Sequence, residues 1–361
     1  MGNQDFHNKP YDSGTLSKLK IFELYVQAWI PVFLSQPKPR FEEVHIFDFF
    51  CGPGNDSDGN YGSPLLILDQ LRRYHRKGMA GWTKGRNVVH LFDANQKKIA
   101  LLKSIVESPT WQIPGVQIDC RRLIFRDALS EHGGLLADPQ IAKLLIIDPY
   151  GVDEVSDEVF KQLIDFRTTD FIFFLSSSTL HRFRDHPAIE QKIEKPDNSY
   201  DVHRATVKYY RNLIPLRHQV YLGSFSIRKQ RGNIYGLIFG SRHPLGIHKF
   251  LHVAWDNDEI SGEANFDIDR ENISPEEGIL PLDVMRPKKI QGFETELEAA
   301  LRSGKLFSEA EVARFCIERG MTCQHSADVI KKLKGQRIIE AGFRVPDVRN
   351  VKAPRAIRLI R

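Results

Sequence analysis

The stretch Val44–Pro64, VHIFDFFCGPGNDSDGNYGSP, constrains this chain more than any other. It opens with Val44, Ile46, Phe47, Phe49 and Phe50, a run too short and too rich in β-branched and aromatic residues for a helix, and so predicts a buried strand. Asp48 lies four and six residues before Gly52 and Gly54. Backbone without Cβ atoms can approach a ligand closely, and the carboxyl end of a parallel strand is where open α/β sheets bind theirs. The spacing Asp48-x-x-x-Gly52-x-Gly54 differs from the G-x-G-x-x-G of nicotinamide-binding loops. A plain strand-to-loop turn and a cofactor loop are both open on these residues alone.

The chain beyond it alternates. Ser63 and Pro64 open a helix running to about Arg76, with serine near the cap and proline in the first turn. Val88–Phe92 predicts a strand ending in Asp93, followed by a helix over Asn95–Val106. Arg122–Phe125 predicts the next strand, ending in Asp127. Leu144–Asp148 follows, closed by Pro149, Tyr150 and Gly151, and Phe171–Leu175 is closed by three serines. Strands alternating with helices imply a parallel, doubly wound sheet. The last two strands, Gln219–Ile227 and Tyr235–Gly240, are separated by too few residues for a crossover helix and must be antiparallel. Ahead of the sheet, Leu16–Phe33 carries Leu19, Phe22, Tyr25, Val26 and Trp29 at helical spacing. That predicts an amphipathic helix serving as a lid or buttress on the sheet, or as a dimer contact.

Residues 256–291 are acidic and rich in turn formers, and read as a connector with little core of its own. From Gly292 the charge changes sign: 14 Lys and Arg face 9 Asp and Glu, a surplus equal to the +5 of the whole chain. Helical segments at Phe293–Ser303, Ser308–Arg319 and Gln324–Leu333 precede alternating strands at Arg337–Phe343 and Ala356–Ile360, the parts of a winged helix. Lys331, Lys332, Lys334 and Arg337 cluster around the third helix and the start of the wing, as candidate phosphate contacts for DNA or RNA. Arg182, Arg184, Arg228, Lys229 and Arg231 flank strand ends and are further candidates.

Other chemistry is constrained by what is missing. The four cysteines, Cys51, Cys120, Cys316 and Cys323, form no C-x-x-C pair, which leaves neither a zinc ribbon nor a disulfide framework and predicts free thiols. His248 and His252 are four apart but lack a nearby acid, so no metal site is expected. No apolar run approaches the roughly 18 residues of a membrane span and the N-terminus is polar, so the expectation is a cytoplasmic protein with no membrane partner.

A parallel sheet finished by an antiparallel hairpin, with acids and glycines at successive strand ends, resembles the class I methyltransferases that use S-adenosylmethionine (SAM). In that arrangement Asp48, Cys51, Gly52 and Gly54 form the cofactor turn, Asp93 meets the ribose hydroxyls and Asp127 the adenine. Asp148-Pro149-Tyr150-Gly151 resembles the D-P-P-Y motif of amino-group methyltransferases, and more literally the D-P-Y-G of tRNA guanine-N2 methyltransferases, with one proline fewer than the former. An exocyclic amine is a poor nucleophile, so Asp148 and the Pro149 carbonyl would accept its hydrogen bonds while Tyr150 stacks on the base. Cytosine-5 chemistry would need a cysteine in a Pro-Cys loop, which is absent; Cys51 lies in the cofactor turn instead.

The combination of LSKLKIFELYVQAW, DFFCGPG with GSPLLIL, FDAN, IIDPYG, SGEANFDID and Gly320-Met321-Thr322 resembles the three-Cys-motif partner (TcmP) proteins along nearly the full length. The resemblance implies a bacterial methyltransferase-like protein acting beside a radical-SAM-like protein that carries the three cysteines. The expected architecture is an N-terminal helical segment (1–40), a Rossmann-like α/β class I methyltransferase domain (41–255), the acidic connector (256–291) and a winged-helix domain (292–361). The expected activity is methyl transfer from SAM to a nucleic-acid base amine, with a non-catalytic SAM- or nucleic-acid-binding adaptor of the partner protein as the alternative.

Overall fold

The computed structural model describes residues 9–38, 40–79, 81–82, 86–149, 155–175, 199–229, 234–269, 287–350 and 352–360. They fall into two compact units, Met1–Arg242 and His243–Arg361. No helix among the described residues is long and apolar enough to cross a membrane.

The first unit is built on a seven-stranded sheet. Its elements are α1 (Ser13–Leu34), β1 (Glu43–Asp48), α2 (Ser63–Arg76), β2 (Arg86–Asp93), α3 (Gln96–Val106), β3 (Val116–Arg122), α4 (Phe125–Glu131), α5 (Gly133–Ala137), β4 (Ile141–Ile147), α6 (Asp157–Asp165), β5 (Thr169–Leu175), α7 (Ser199–Asn212), β6 (Tyr221–Arg228) and β7 (Ile234–Ser241). The strand order is β3-β2-β1-β4-β5-β7-β6. The first five are parallel, and β7 is antiparallel to both β5 and β6. That is the mostly parallel, hairpin-finished sheet of a class I methyltransferase-like fold. The order reverses at β1, which has β2 on one side and β4 on the other, so the crevice past its carboxyl end is the topological switch point. β1 and β4 are buried on both faces, as central parallel strands must be.

Helix α1 acts as a buttress. Its Tyr25 hydroxyl and Trp29 indole N–H both donate to Asp170 of β5, at 2.7 and 3.1 Å, and the Tyr74 hydroxyl of α2 donates to the Gln27 carbonyl at 2.7 Å. Burial pushes the Asp170 carboxyl up to about 6 against the pull of these donors and Ser241.

β3 departs from expectation. It spans Val116–Arg122, and the apolar run Leu123-Ile124-Phe125 that predicted it is instead the loop and first turn of α4. β3 is an edge strand and half-exposed, so it carries little of the hydrophobic signal of a buried strand. Phe125, Ala128 and Leu129, spaced for one helix face, are buried. Asp127 therefore does not close a strand; it is exposed on the first turn of α4.

The second unit contains α8 (Pro244–Asn257), α9 (Lys288–Arg302), α10 (Glu309–Glu318), a 3-10 turn at Cys323–Ser326, α11 (Ala327–Gly335), and the antiparallel pair β8 (Ile339–Ala341) and β9 (Ile357–Leu359). Three helices and a strand pair occur where the sequence places them. The helix at Pro244–Asn257, assigned by sequence to the sheet domain, groups with this unit. The described part of the supposed connector is packed: Ala264, Phe266 and Ile268 are buried, and Asp258 accepts the amides of Ile260, Ser261, Glu263 and Ala264. Gly262 has φ +63°, and a Cβ there would lie 2.5 Å from the Trp255 indole, so the turn requires glycine. An acidic, turn-rich composition concealed a stapled loop.

Candidate active site

The glycine turn is held by its own backbone and by two acids. Past β1, the Cys51 amide donates to the Phe92 carbonyl of β2 at 2.9 Å and the Gly62 amide to the Gly54 carbonyl at 2.7 Å. Gly52 and Gly54 have φ of +65° and +105°, and a Cβ on Gly54 would press to 3.0 Å from Leu102. These positions require glycine. Asp93, the last residue of β2, is 3% exposed; it accepts the Gly52 amide at 3.2 Å on one oxygen and the Asn95 amide at 2.7 Å on the other. The acid expected to meet a ribose thus also fixes the turn, with lone pairs left on both oxygens.

Asp48 differs. It is fully buried at the end of β1, its Oδ1 takes the Phe50 amide at 3.2 Å, and its Oδ2 has no hydrogen-bond partner of good geometry among the described residues. Burial pushes its carboxyl up to about 7, with Asp148 and Asp93 adding repulsion and the Phe50 amide and nearby Ser63 hydroxyl opposing it. Cys51 is buried as well, and its thiol is raised far above the ordinary range by burial and by the charges of Asp48 and Asp93. It contributes its backbone to the turn and no accessible nucleophile.

Asp148 stands just past β4, as expected, and Pro149 beside it; both are half-buried. Tyr150 and Gly151 lie outside the described residues. The Asp148 carboxylate is not free: Lys18 Nζ of α1 donates to its Oδ2, while the same ammonium lies 4.6 Å from the centre of the Phe174 ring. Tyr11 also reaches this mouth. Its amide donates to Asp56 at 2.7 Å, its hydroxyl oxygen would lie 3.0 Å from a Cβ on Gly62, and its pKa rises through burial and the charges of Asp56, Asp148 and Asp48. Sequence reasoning missed both residues. The stripe of α1 was read for its apolar face, and Lys18 stands just before its first member, Leu19.

Of the basic candidates, Lys229 pairs with Asp12 at 2.8 Å. Arg182, Arg184 and Arg231 lie outside the described residues. In the second unit Lys331, Lys332, Lys334 and Arg337 are all exposed, but Lys332 pairs with Glu298 at 2.8 Å and Lys334 reaches the Phe343 carbonyl at 3.4 Å. Two of the four are thus engaged within the fold. His248 and His252 touch through their Nε2 atoms at 3.1 Å.

Strand order and the acids at the switch point define a class I SAM-methyltransferase-like fold. No family model and no curated protein sequence matches the chain. Among solved structures it is similar to an O-methyltransferase from Bacillus cereus in complex with SAH, at 12% identity and TM-score 0.36 over 64% of this chain and 84% of that one. It is also similar to the O-methyltransferase TomG from Streptomyces achromogenes, at 13% identity and TM-score 0.32 over 66% and 98%. A SAM-dependent methyltransferase from Agrobacterium tumefaciens matches at 8% identity and TM-score 0.34 over 63% and 62%. At such TM-scores these likenesses add no weight to what the strand order itself shows.

Proposed function

We propose that the chain is a SAM-dependent methyltransferase acting on an exocyclic amine of a nucleic-acid base, in concert with a radical-SAM-like partner of the three-Cys type. The observation that carries the cofactor is Asp48, a buried carboxylate with one oxygen unpartnered among the described residues, beside a turn that only glycine can form. An orphaned buried acceptor is costly unless a donor or cation completes it. SAM brings an ammonium, a sulfonium and a methyl group activated for transfer. In this reading Asp48 holds the cationic end, the Gly52 and Gly54 backbone lets the cofactor approach, Asp93 accepts the ribose hydroxyls and Asp127 is the partner of the adenine.

Asp148 would accept the amine of the substrate base, with Tyr150 stacked upon it. For that, Lys18 must release the carboxylate or share it. Helix α1 then gates the acceptor site, and Lys18 is the residue that holds Asp148 until a substrate amine displaces it. The same ion pair favours a second reading, a non-catalytic adaptor in which the neutralised Asp148 has only a structural role.

Labelled-methyl transfer from SAM to pooled DNA and RNA, with and without the partner, separates the two. Transfer by the wild type that disappears in Asp148→Ala, with SAM affinity kept, supports the enzyme. Calorimetric SAM binding without transfer to any pool supports the adaptor. A folded protein that binds no SAM overturns the enzyme and leaves the adaptor, which needs no cofactor.

A further inference from the structure

The sheet holds a second polar cluster, which runs from β1 across β2 to the edge strand β3. His45 of β1, His90 of β2 and Asp119 of β3 form a line across three strands, and His132, at the end of α4, packs on it with its ring 5.0 Å from that of His90. His45 Nε2 lies 2.8 Å from Glu43 Oε2, His45 Nδ1 lies 2.9 Å from His90 Nε2, and His90 Nδ1 lies 3.3 Å from Asp119 Oδ2. His132 Nδ1 lies 3.0 Å from the Ala128 carbonyl.

Proton counting along this line leaves a mismatch. An ionised Glu43 can only accept, so His45 Nε2 carries the hydrogen and its Nδ1 is a lone pair. His90 must then donate from Nε2. Its Nδ1 becomes a lone pair facing the Asp119 carboxylate, acceptor against acceptor. The Ala128 carbonyl likewise can only accept, so His132 carries its hydrogen on Nδ1 and keeps a lone pair on Nε2. One added proton would reconcile His90 with Asp119; a single divalent ion would satisfy that pair and take the His132 Nε2 lone pair as well.

We propose that His90, Asp119 and His132 bind a divalent transition-metal ion, with zinc the best fit to the donor set. One ligand atom from each of the three lies within 4.8 Å of the others. Tetrahedral zinc with bonds of about 2.1 Å sets its ligands roughly 3.4 Å apart, close to the 3.3 Å already found between His90 and Asp119. Two imidazoles and one carboxylate suit zinc, cobalt or nickel over magnesium or calcium. Each histidine has its other ring nitrogen engaged, His132 on a backbone carbonyl and His90 on the His45–Glu43 pair, the support that metal-bound histidines ordinarily receive. Arg121 bonds Asp119 Oδ1 at 2.7 Å and Oδ2 at 2.9 Å and also reaches Glu131 at 2.8 Å. Being 44% exposed, it can keep Oδ1 and Glu131 while Oδ2 turns to the metal. The Asp119 side chain is 21% exposed, so solvent reaches the cluster and can fill a fourth position. The ion would tie β2, the edge strand β3 and the end of α4 together.

The test is titration of the chelator-treated full chain with Co²⁺, followed by visible d–d absorption and by elemental stoichiometry after gel filtration. One equivalent per chain is expected, with the bands of a nitrogen and oxygen site and no sulfur charge transfer. His132→Gln and Asp119→Asn should each weaken binding by more than about 100-fold, and His45→Gln by about 10- to 100-fold. His252→Gln should change nothing. Circular dichroism establishes folding, and the half-buried His132 is the variant least exposed to misfolding. No saturable binding, binding insensitive to His132→Gln and Asp119→Asn, or a thiolate band assigning the ion to Cys316 and Cys323 would overturn the proposal.

Discussion

Two buried carboxylates, one in each unit, meet opposite fates. Glu309, at the start of α10, has no exposed surface and is saturated: it accepts the Asp347 amide at 2.8 Å, the Asn350 side chain at 3.2 Å, the Arg355 amide at 3.3 Å and the Arg355 guanidinium. Arg355 and these amides pull its carboxyl down to about 2. Asp48 is equally buried, meets one amide and the nearby Ser63 hydroxyl but no cation among the described residues, and is pushed up to about 7. A carboxylate surrounded by donors staples a loop. One left short of them at a strand end is what a ligand site looks like before its ligand arrives.

The sharpest way to break this contrast is to remove Glu309. Two backbone amides and a guanidinium would lose their acceptor, so Glu309→Ala should destabilise the chain by about 2–5 kcal/mol, read as the midpoint of urea unfolding. Its folded pKa lies below the unfolded value, so its contribution is complete above about pH 4.5 and is lost as pH falls toward about 2. A variant with unchanged stability at pH 7 would show that burial and donors alone do not mark a structural acid.

Asp48 should give the reverse sign. Its folded pKa lies above the unfolded value, so its stability is complete below about pH 4 and is lost as pH rises to about 7. Asp48→Asn should therefore stabilise the ligand-free protein at pH 8, by on the order of 2 kcal/mol, with the advantage vanishing near pH 4. The same variant should lose SAM binding. Wild-type SAM affinity, measured by calorimetry, should climb between about pH 6 and 8 as Asp48 ionises for a cationic ligand. A variant that is less stable at pH 8 would mean that Asp48 has a partner in solution and belongs with Glu309.

Asp93 lies between the two cases. Because it holds the Gly52 and Asn95 amides, Asp93→Ala should weaken SAM by about 1–3 kcal/mol and also lower the unfolding midpoint of the free protein. An acid that served the ribose alone would leave the free protein untouched.

What could be read from the sequence follows the same division. The glycine turn, β2 closed by Asp93, β4 leading to Asp148, the terminal hairpin and the helices of the second unit each carry a local signal: a period, a cap or a breaker. β3 was misplaced because an edge strand with Asp119, Cys120, Arg121 and Arg122 lacks the apolar run that announces a buried one. Lys18 and Tyr11 went unseen because their roles depend on Asp148 and Asp48, far along the chain. His90, Asp119 and His132 come from two strands and a helix end, a spacing that matches no metal motif. Contacts between distant segments leave no periodicity to read.

The smallest expected effect tests the contrast on the surface of the second unit, where paired and unpaired basic residues sit within one turn of each other. Lys332 is already neutralised by Glu298, whereas Lys331 has no ion-pair partner among the described residues. If this face meets nucleic acid, Lys331→Ala should reduce the magnitude of the salt slope of binding by about 0.9, and Lys332→Ala by less, because its ammonium must first leave Glu298. Arg337 adds a stability readout. It follows α11 at φ +56°, a left-handed position that glycine ordinarily fills at a helix end. Arg337→Gly should stabilise the fold by about 0.5–1 kcal/mol, since relief of backbone strain outweighs the entropy that glycine adds to the unfolded chain. The same change should weaken nucleic-acid binding, measured by fluorescence anisotropy across a salt series. If Arg337→Gly stabilises the protein and leaves binding and its salt slope unchanged, the left-handed arginine does not serve phosphate contact.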